Sequence, residues 1–306
     1  MKKDILTLWD LEPEEIMQLI ERAMVFNKNN TSGVLYRPLA GKTLGIIFEK
    51  PSTRTRVSFE VAMIQLGGGA AFLSAKETQL ARNEPITDTA RVLSRYLDGI
   101  VIRTYSQKFL EELALNASIP VINGLTDTYH PCQVLSDLQT ILEKKGTLTG
   151  LKIVWVGDGN NVAHSWINAA AILGLHLVLA TPAGYEPNQD ILQNAIDHGK
   201  GTISLFSDPF EAVEDADVIY TDVWASMGQE SEHEARKKIF QPYQVNDNLV
   251  AKAKEDVLIM HCLPAHRDEE ITNEVLEGPR SVVWDQAENK LHMHKAILER
   301  LMVEND

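Results

Sequence analysis

The chain has 306 residues, 44% of them apolar and 24% charged, with 29 Lys plus Arg against 43 Asp plus Glu. That length favours two domains of about 150 residues, each able to bury a core, and the composition excludes a disordered or fibrous chain. A formal net charge of -14 argues against a nucleic-acid phosphate surface as the main partner, so an anionic ligand has to meet a local basic pocket.

The opening MKKDILTLWDLEPEE turns acidic early and lacks the apolar core of a leader, and no later apolar run approaches about 18 residues; a cytoplasmic protein without membrane spans is expected. PEEIMQLIERAMVF reads as an amphipathic helix. The strands KTLGIIFE (42–49), AAFLSA (70–75), DGIVIRT (98–104) and IPVING (119–124) follow, separated by helical stretches near 53–66, 87–96 and 107–117. A helix over about 132–145 ends in Lys-Lys-Gly and marks the domain boundary. Beyond it LKIVWVGD (151–158), HLVLATP (176–182), GTISLF (201–206), DVIYTDVW (217–224), DVLIMHCLP (256–264) and SVVWDQA (281–287) read as six further strands, before a last amphipathic helix, ENKLHMHKAILERLM.

Apolar strands alternating with helices give parallel sheets covered on both faces. The expected fold is therefore α/β, with two doubly wound parallel-sheet domains joined by interdomain helices. Residues 1–140 form the first, residues 141–287 the second, and a C-terminal helix over 288–306 packs back on the first. In such sheets ligands bind outside the carboxyl ends of the strands, which directs attention to EKPSTRTR, RTYSQ, NGLTDTYHPCQ, GDGNNVAHS, TDVWASMGQE, HCLPAHR and DQAENK.

In PSTRTR, Ser52 and Thr53 open a helix whose free N–H groups and dipole attract an anion, and Arg54 adds a planar fork suited to phosphate. Ser52 alone would be an ordinary cap. Two arginines in the first turn oppose the dipole unless an anion compensates, and this favours a phosphate-type site. HPCQ places His130 and Gln133 at a helix entry, where either can bond a small carbonyl or amide, or merely begin the helix; Cys132 reads as packing. Arg103 is either a surface charge or a ligand group, since it ends a strand on the rim expected for ligands.

GDGNN is half a dinucleotide fingerprint, but Val162 stands at the third glycine position and the next strand ends without a ribose-binding acid, which counts against NAD. Asn160 and Asn161 either cap the next helix or offer an amide to a carboxylate. Asp222 pairs with an ammonium or caps a helix, with Ser226 nearby. His261, Cys262 and His266 invite a zinc reading, yet no CxxC or HExxH spacing accompanies them, and no metal is expected. Cys262 is either a buried inert thiol or one ionised toward the ligand. The crowded Leu263-Pro264 bond is a candidate for cis geometry. With only Cys132 and Cys262 present, a disulfide framework is excluded.

Taken in order, STRT, HPCQ, GDGNN, DVWASMG and HCLP make the chain resemble the aspartate/ornithine carbamoyltransferase family over essentially its full length. The resemblance implies a domain for carbamoyl phosphate, a domain for ornithine, a homotrimer with sites at subunit interfaces, and no cofactor. By position it assigns Ser52, Thr53, Arg54 and Thr55 to the phosphate, and Gln79 to a neighbouring subunit's site. Arg103, His130 and Gln133 go to the carbamoyl group, with Cys262 and Leu263 near the reacting centre. Asn161, Asp222, Ser226 and Met227 go to ornithine. Lys290 also falls on the donor, although it stands where the family usually has arginine, so that a compact ammonium replaces a bidentate fork. Within this reading Arg103, His130, Asp222 and Cys262 carry the chemistry of carbamoyl transfer to the δ-amine, yielding citrulline for arginine biosynthesis. Rival readings are a carbamoyltransferase acting on putrescine or an acylated ornithine, a dinucleotide-dependent dehydrogenase, and an inactive binding protein.

Overall fold

A computed structural model of the chain describes residues 3–30, 35–74, 84–225 and 232–303. The chain divides into two compact units, Met1–Gln139 with Glu288–Asp306, and Thr140–Ala287. Among the described residues no helix is long and apolar enough to cross a membrane.

In the first unit helix α1 (Pro13–Asn30) precedes β1 (Thr43–Phe48), α2 (Thr53–Gln65), β2 (Gly69–Ser74), α3 (Ile86–Leu93), β3 (Gly99–Arg103), α4 (Gln107–Asn116) and β4 (Val121–Leu125). The four strands are parallel, in the order β2-β1-β3-β4. β3 and β4 are buried along their whole length and β1 beyond its first residue, as parallel strands covered on both faces must be, whereas β2 at the edge is only partly covered. Ile47, Ile100 and Ile102 pack with Leu110 and Leu113 of α4 and Ala90 of α3. Helix α5 (Pro131–Lys145) then carries the chain into the second unit.

The second unit runs β5 (Lys152–Val156), α6 (Asn161–Leu173), β6 (His176–Ala180), α7 (Gln189–His198), β7 (Thr202–Phe206), α8 (Pro209–Ala212) and β8 (Val218–Thr221). It continues through α9 (His233–Phe240), α10 (Asp247–Val250), β9 (Leu258–His261) and α11 (Asn273–Leu276). Its five parallel strands stand in the order β7-β6-β5-β8-β9. Trp155 of β5 stacks on Tyr220 of β8 at 5.2 Å, and Trp166 of α6 meets the same ring edge-on at 5.8 Å. Such pairs add about 0.5–1.5 kcal/mol each beyond the area they bury.

One expected strand is absent. SVVWDQA forms only an isolated bridge, Ser281 to Ile259, and coils at Val283 into α12 (Val283–Met302). Val283, Gln286, Lys290 and Met293 are all buried, which is helical spacing, and a three-residue apolar run cannot distinguish a strand from the first turn of such a helix. From Glu288 onward α12 belongs to the first unit, where Glu299 takes both arms of Arg22 of α1 at 2.6 and 2.7 Å.

Candidate active site

A strand order that reverses leaves one crevice per sheet where adjacent loops run apart. The reversals here fall between β1 and β3 and between β5 and β8. At the first, Phe48 and Arg103 end their strands in register, and Glu49 N–H donates to the Arg103 carbonyl at 2.8 Å. The chain then turns into α2, where Ser52 Oγ accepts the Thr55 N–H at 3.3 Å as the helix cap. Thr53 is exposed, Arg54 half-buried and Thr55 buried.

Behind this helix end lies a buried polar chain. Lys290 of α12, 4% exposed, donates to Gln133 Oε1 at 3.0 Å and to Thr55 Oγ1 at 3.3 Å, and Gln133 Nε2 donates to Asp137 Oδ1 at 2.8 Å. A buried cation thus reaches a buried acid through an amide, with Thr55 held at the cationic end. Burial holds His130 well below the usual imidazole range, and the charges of Lys290, Arg103 and His294 push it the same way. His130 is consequently neutral at pH 7, able to donate or accept a hydrogen bond beside two fixed cations. The structure so brings Thr55, His130, Gln133 and Lys290 together from three helices, with Arg103 close enough to act on the His130 ring. Cys132 is a packing residue: its thiol donates to the Asn123 carbonyl at 3.3 Å and burial pushes it up to about 12.

Two residues at this end carry signals the sequence reading passed over. Lys50, inside the quoted motif, is 4% exposed, pairs with Asp127 and lies 4.3 Å over the Tyr105 ring. His294, one turn beyond Lys290, stacks on Phe59 at 3.7 Å and meets Ser58 Oγ at 2.8 Å. Its helical spacing from Lys290 was the available clue.

At the second reversal Asn160 caps α6, accepting from Val162 and Ala163 N–H at 2.9 and 3.2 Å while Nδ2 donates to Asp222 Oδ2 at 2.8 Å. The other Asp222 oxygen accepts from Val223 N–H at 2.8 Å and from the Cys262 thiol at 3.0 Å. Asp222 is accordingly a gathered carboxylate and not a helix cap, and Cys262 is a hydrogen-bond donor to it. Asn161 opens α6, half-buried beside this group. His261, in the same cluster, has Nδ1 accepting from Leu263 N–H at 2.9 Å and Nε2 donating to Glu270 at 2.9 Å, which leaves neither nitrogen for a metal. The Leu263-Pro264 bond is cis. Gln79, Ser226 and Met227 lie outside the described residues.

The glycines of GDGNN serve the fold, the first through its backbone angle and the second through packing. Gly157 has φ +137°, and a Cβ on Gly159 would meet Pro187 N at 2.3 Å and Glu186 C at 2.5 Å. Backbone already fills the face where a dinucleotide fingerprint admits pyrophosphate. Asp158 between them is bound by Arg236 of α9 at 3.0 Å, and Arg236 also reaches the Trp224 carbonyl and Glu232. Burial outweighs the arginine and raises Asp158 to about 6.

Residues 3–143 match the family described as aspartate/ornithine carbamoyltransferase, carbamoyl-P binding domain, and residues 149–301 its Asp/Orn binding domain. The ornithine carbamoyltransferase of Syntrophus aciditrophicus is 60% identical over 99% of this chain and 100% of its own. The anabolic ornithine carbamoyltransferase of Pyrococcus furiosus is 58% identical over 98% of this chain and 96% of its own. Among solved structures, ornithine carbamoyltransferase from Pyrococcus furiosus superposes with a TM-score of 0.93 at 55% identity, covering 100% of this chain and 98% of that one. The Thermus thermophilus enzyme follows with 0.89 at 41% identity, covering 99% of each.

Proposed function

The chain belongs to the aspartate/ornithine carbamoyltransferase family, and we propose that it transfers the carbamoyl group of carbamoyl phosphate to the δ-amine of L-ornithine, giving L-citrulline and phosphate for arginine synthesis. The observation that carries this reading is the opposite chemistry of the two strand-order reversals. The first unit offers buried Arg103 and Lys290 with a neutral imidazole, suited to an anionic donor. The second offers a carboxylate, Asp222, suited to a cationic acceptor.

In the donor half, Ser52, Thr53, Arg54 and Thr55 at the start of α2 take the phosphate oxygens, as free N–H groups and a guanidinium do. Arg103, His130 and the Thr55 hydroxyl stabilise the oxyanion that develops on the carbonyl oxygen, with Gln133 and Lys290 fixing the carbamoyl end. In the acceptor half Asn161, Asp222, Ser226 and Met227 bind the amino acid, and Cys262 with the Leu263 backbone serves the reacting centre. An alkylammonium near pKa 10 is mostly protonated at neutral pH, so Asp222, with the Cys262 thiol bonded to it, binds this form and assists proton loss. The neutral amine attacks the carbonyl carbon, the bond from carbon to the phosphate oxygen breaks, and the second amine proton leaves with phosphate. These steps draw on no cofactor or metal. A cytoplasmic homotrimer in which Gln79 reaches the neighbouring subunit completes the reading, and light scattering of the purified protein tests the assembly.

The activity is tested by steady-state assays pairing carbamoyl phosphate with ornithine, putrescine and N-acetylornithine. Ornithine is expected to give the highest kcat/KM; faster turnover with either competitor reassigns the acceptor. Absence of phosphate release with all three overturns the proposal.

A further inference from the structure

A second cluster of metal-binding chemistry lies in the second unit. His233 opens α9, while His266 and Glu269 belong to the turn after β9, and their ligand atoms all lie within 4.8 Å of one another. His233 Nε2 is 3.0 Å and His266 Nδ1 is 3.8 Å from the same Glu269 oxygen, Oε2. Two donors about 2.1 Å from one ion at a tetrahedral angle sit about 3.4 Å apart, midway between those distances.

The surroundings hold the ligands in place. Glu269 N–H donates to the His266 carbonyl at 3.0 Å, closing the turn, and Gln244 Nε2 holds the Asp268 and Glu269 carbonyls at 3.0 and 2.9 Å. His266 N–H is fixed on the Glu270 carboxylate at 2.6 Å. Lys237, one turn along α9 from His233, takes Glu269 Oε1 at 3.1 Å and leaves Oε2 facing the imidazoles. The carboxylate of Glu234 lies 3.6 Å from His233 Nδ1, on the side of the ring that a metal bound through Nε2 leaves to a carboxylate partner.

We propose that His233, His266 and Glu269 form a site for a first-row divalent transition metal of the zinc, cobalt or nickel class. Two imidazoles and one carboxylate suit these ions, whereas magnesium and calcium take oxygen sets. The partial exposure of all three side chains leaves remaining coordination positions to solvent. Bound there, the ion ties the start of α9 to the turn that follows Cys262, Leu263 and Pro264.

The experiment is calorimetric titration of the chelator-treated full chain with zinc chloride, paired with the visible absorbance of added cobalt(II). Both are run in a Cys262→Ser background, so that the thiol beside Asp222 does not compete. One equivalent of zinc per chain is expected, with a cobalt spectrum lacking thiolate charge transfer. His233→Gln and His266→Gln should each weaken zinc at least about ten-fold, with unchanged thermal midpoints in the absence of metal. Undiminished binding in both variants, or no binding by the Cys262→Ser protein, overturns the site.

Discussion

The two sheets solve one topological problem with opposite chemistry. Each reverses strand order once and collects polar loops there, but in the first unit the buried groups are cations whose acids stand behind them, Lys290 reaching Asp137 through Gln133. In the second the central group is an acid, Asp222, into which neutral donors converge. Strand order thus decides where the polar loops gather, and the few side chains at the reversal decide their charge.

The sharpest way to break that comparison is to remove the cation at the helix end. Arg54→Ala should lower kcat by about 10²–10³-fold, the size of losing one donor to developing charge, with the circular dichroism of the folded chain retained because Arg54 is only half-buried. Near-normal turnover would show that the α2 terminus is a cap and nothing more. On the other side, Asp222→Asn should raise the KM for ornithine by about 10–150-fold, the worth of a hydrogen bond to a charged group, while leaving the KM for carbamoyl phosphate alone. A variant in which both constants move together would dissolve the division into donor and acceptor halves.

Acid should separate the buried histidines of the first unit from Asp158 of the second by sign. His130 and His294 are held by burial well below the 6.5 of a free imidazole, so the unfolded chain binds the extra protons. Their contribution is fully present above 6.5 and is lost as pH falls from there toward the folded values. The loss runs to about 1.4 kcal/mol per pH unit for each group. Asp158 runs the other way. Raised from 3.8 to about 6, it contributes stability that is fully present below 3.8 and lost as pH rises through about 6. Between pH 7 and 5 the urea midpoint should therefore fall less steeply for His294→Gln and more steeply for Asp158→Asn than for the parent chain. Slopes shifting in the same direction would refute the assignment.

Much of this was legible from the chain because parallel strands buried on both faces are continuous apolar runs, and because strand-end loops advertise their polar residues. Nine of the ten expected strands stand where the apolar runs lie. SVVWDQA failed because the helix that begins at Val283 buries polar residues in its first two turns, Gln286, Asn289 and Lys290, so its start shows no apolar period. For the same reason the Lys290–Gln133–Asp137 chain could not be read: its members lie 157 and 4 residues apart, and only the folded unit joins them. GDGNN was read correctly as a poor dinucleotide fingerprint, and the structure adds a reason the chain alone could not show: Gly159 answers to the backbone of Glu186 and Pro187.

The smallest effect tests the finest distinction, between two arginines two residues apart. Arg56 donates to Glu60 at 2.9 Å one turn along α2 and lays its guanidinium 3.5 Å over the Phe72 ring, so both its charge and its plane are engaged on the surface of its own unit. An exposed pair at this spacing is worth about 0.3–0.5 kcal/mol and an exposed cation over a ring about 0.5–1 kcal/mol. Arg56→Gln should therefore cost about 1 kcal/mol in urea unfolding, with the kcat and both KM values of the parent chain. A loss of turnover approaching that of Arg54→Ala would mean that the anion is held by the whole first turn of α2 and not by the one fork that faces it.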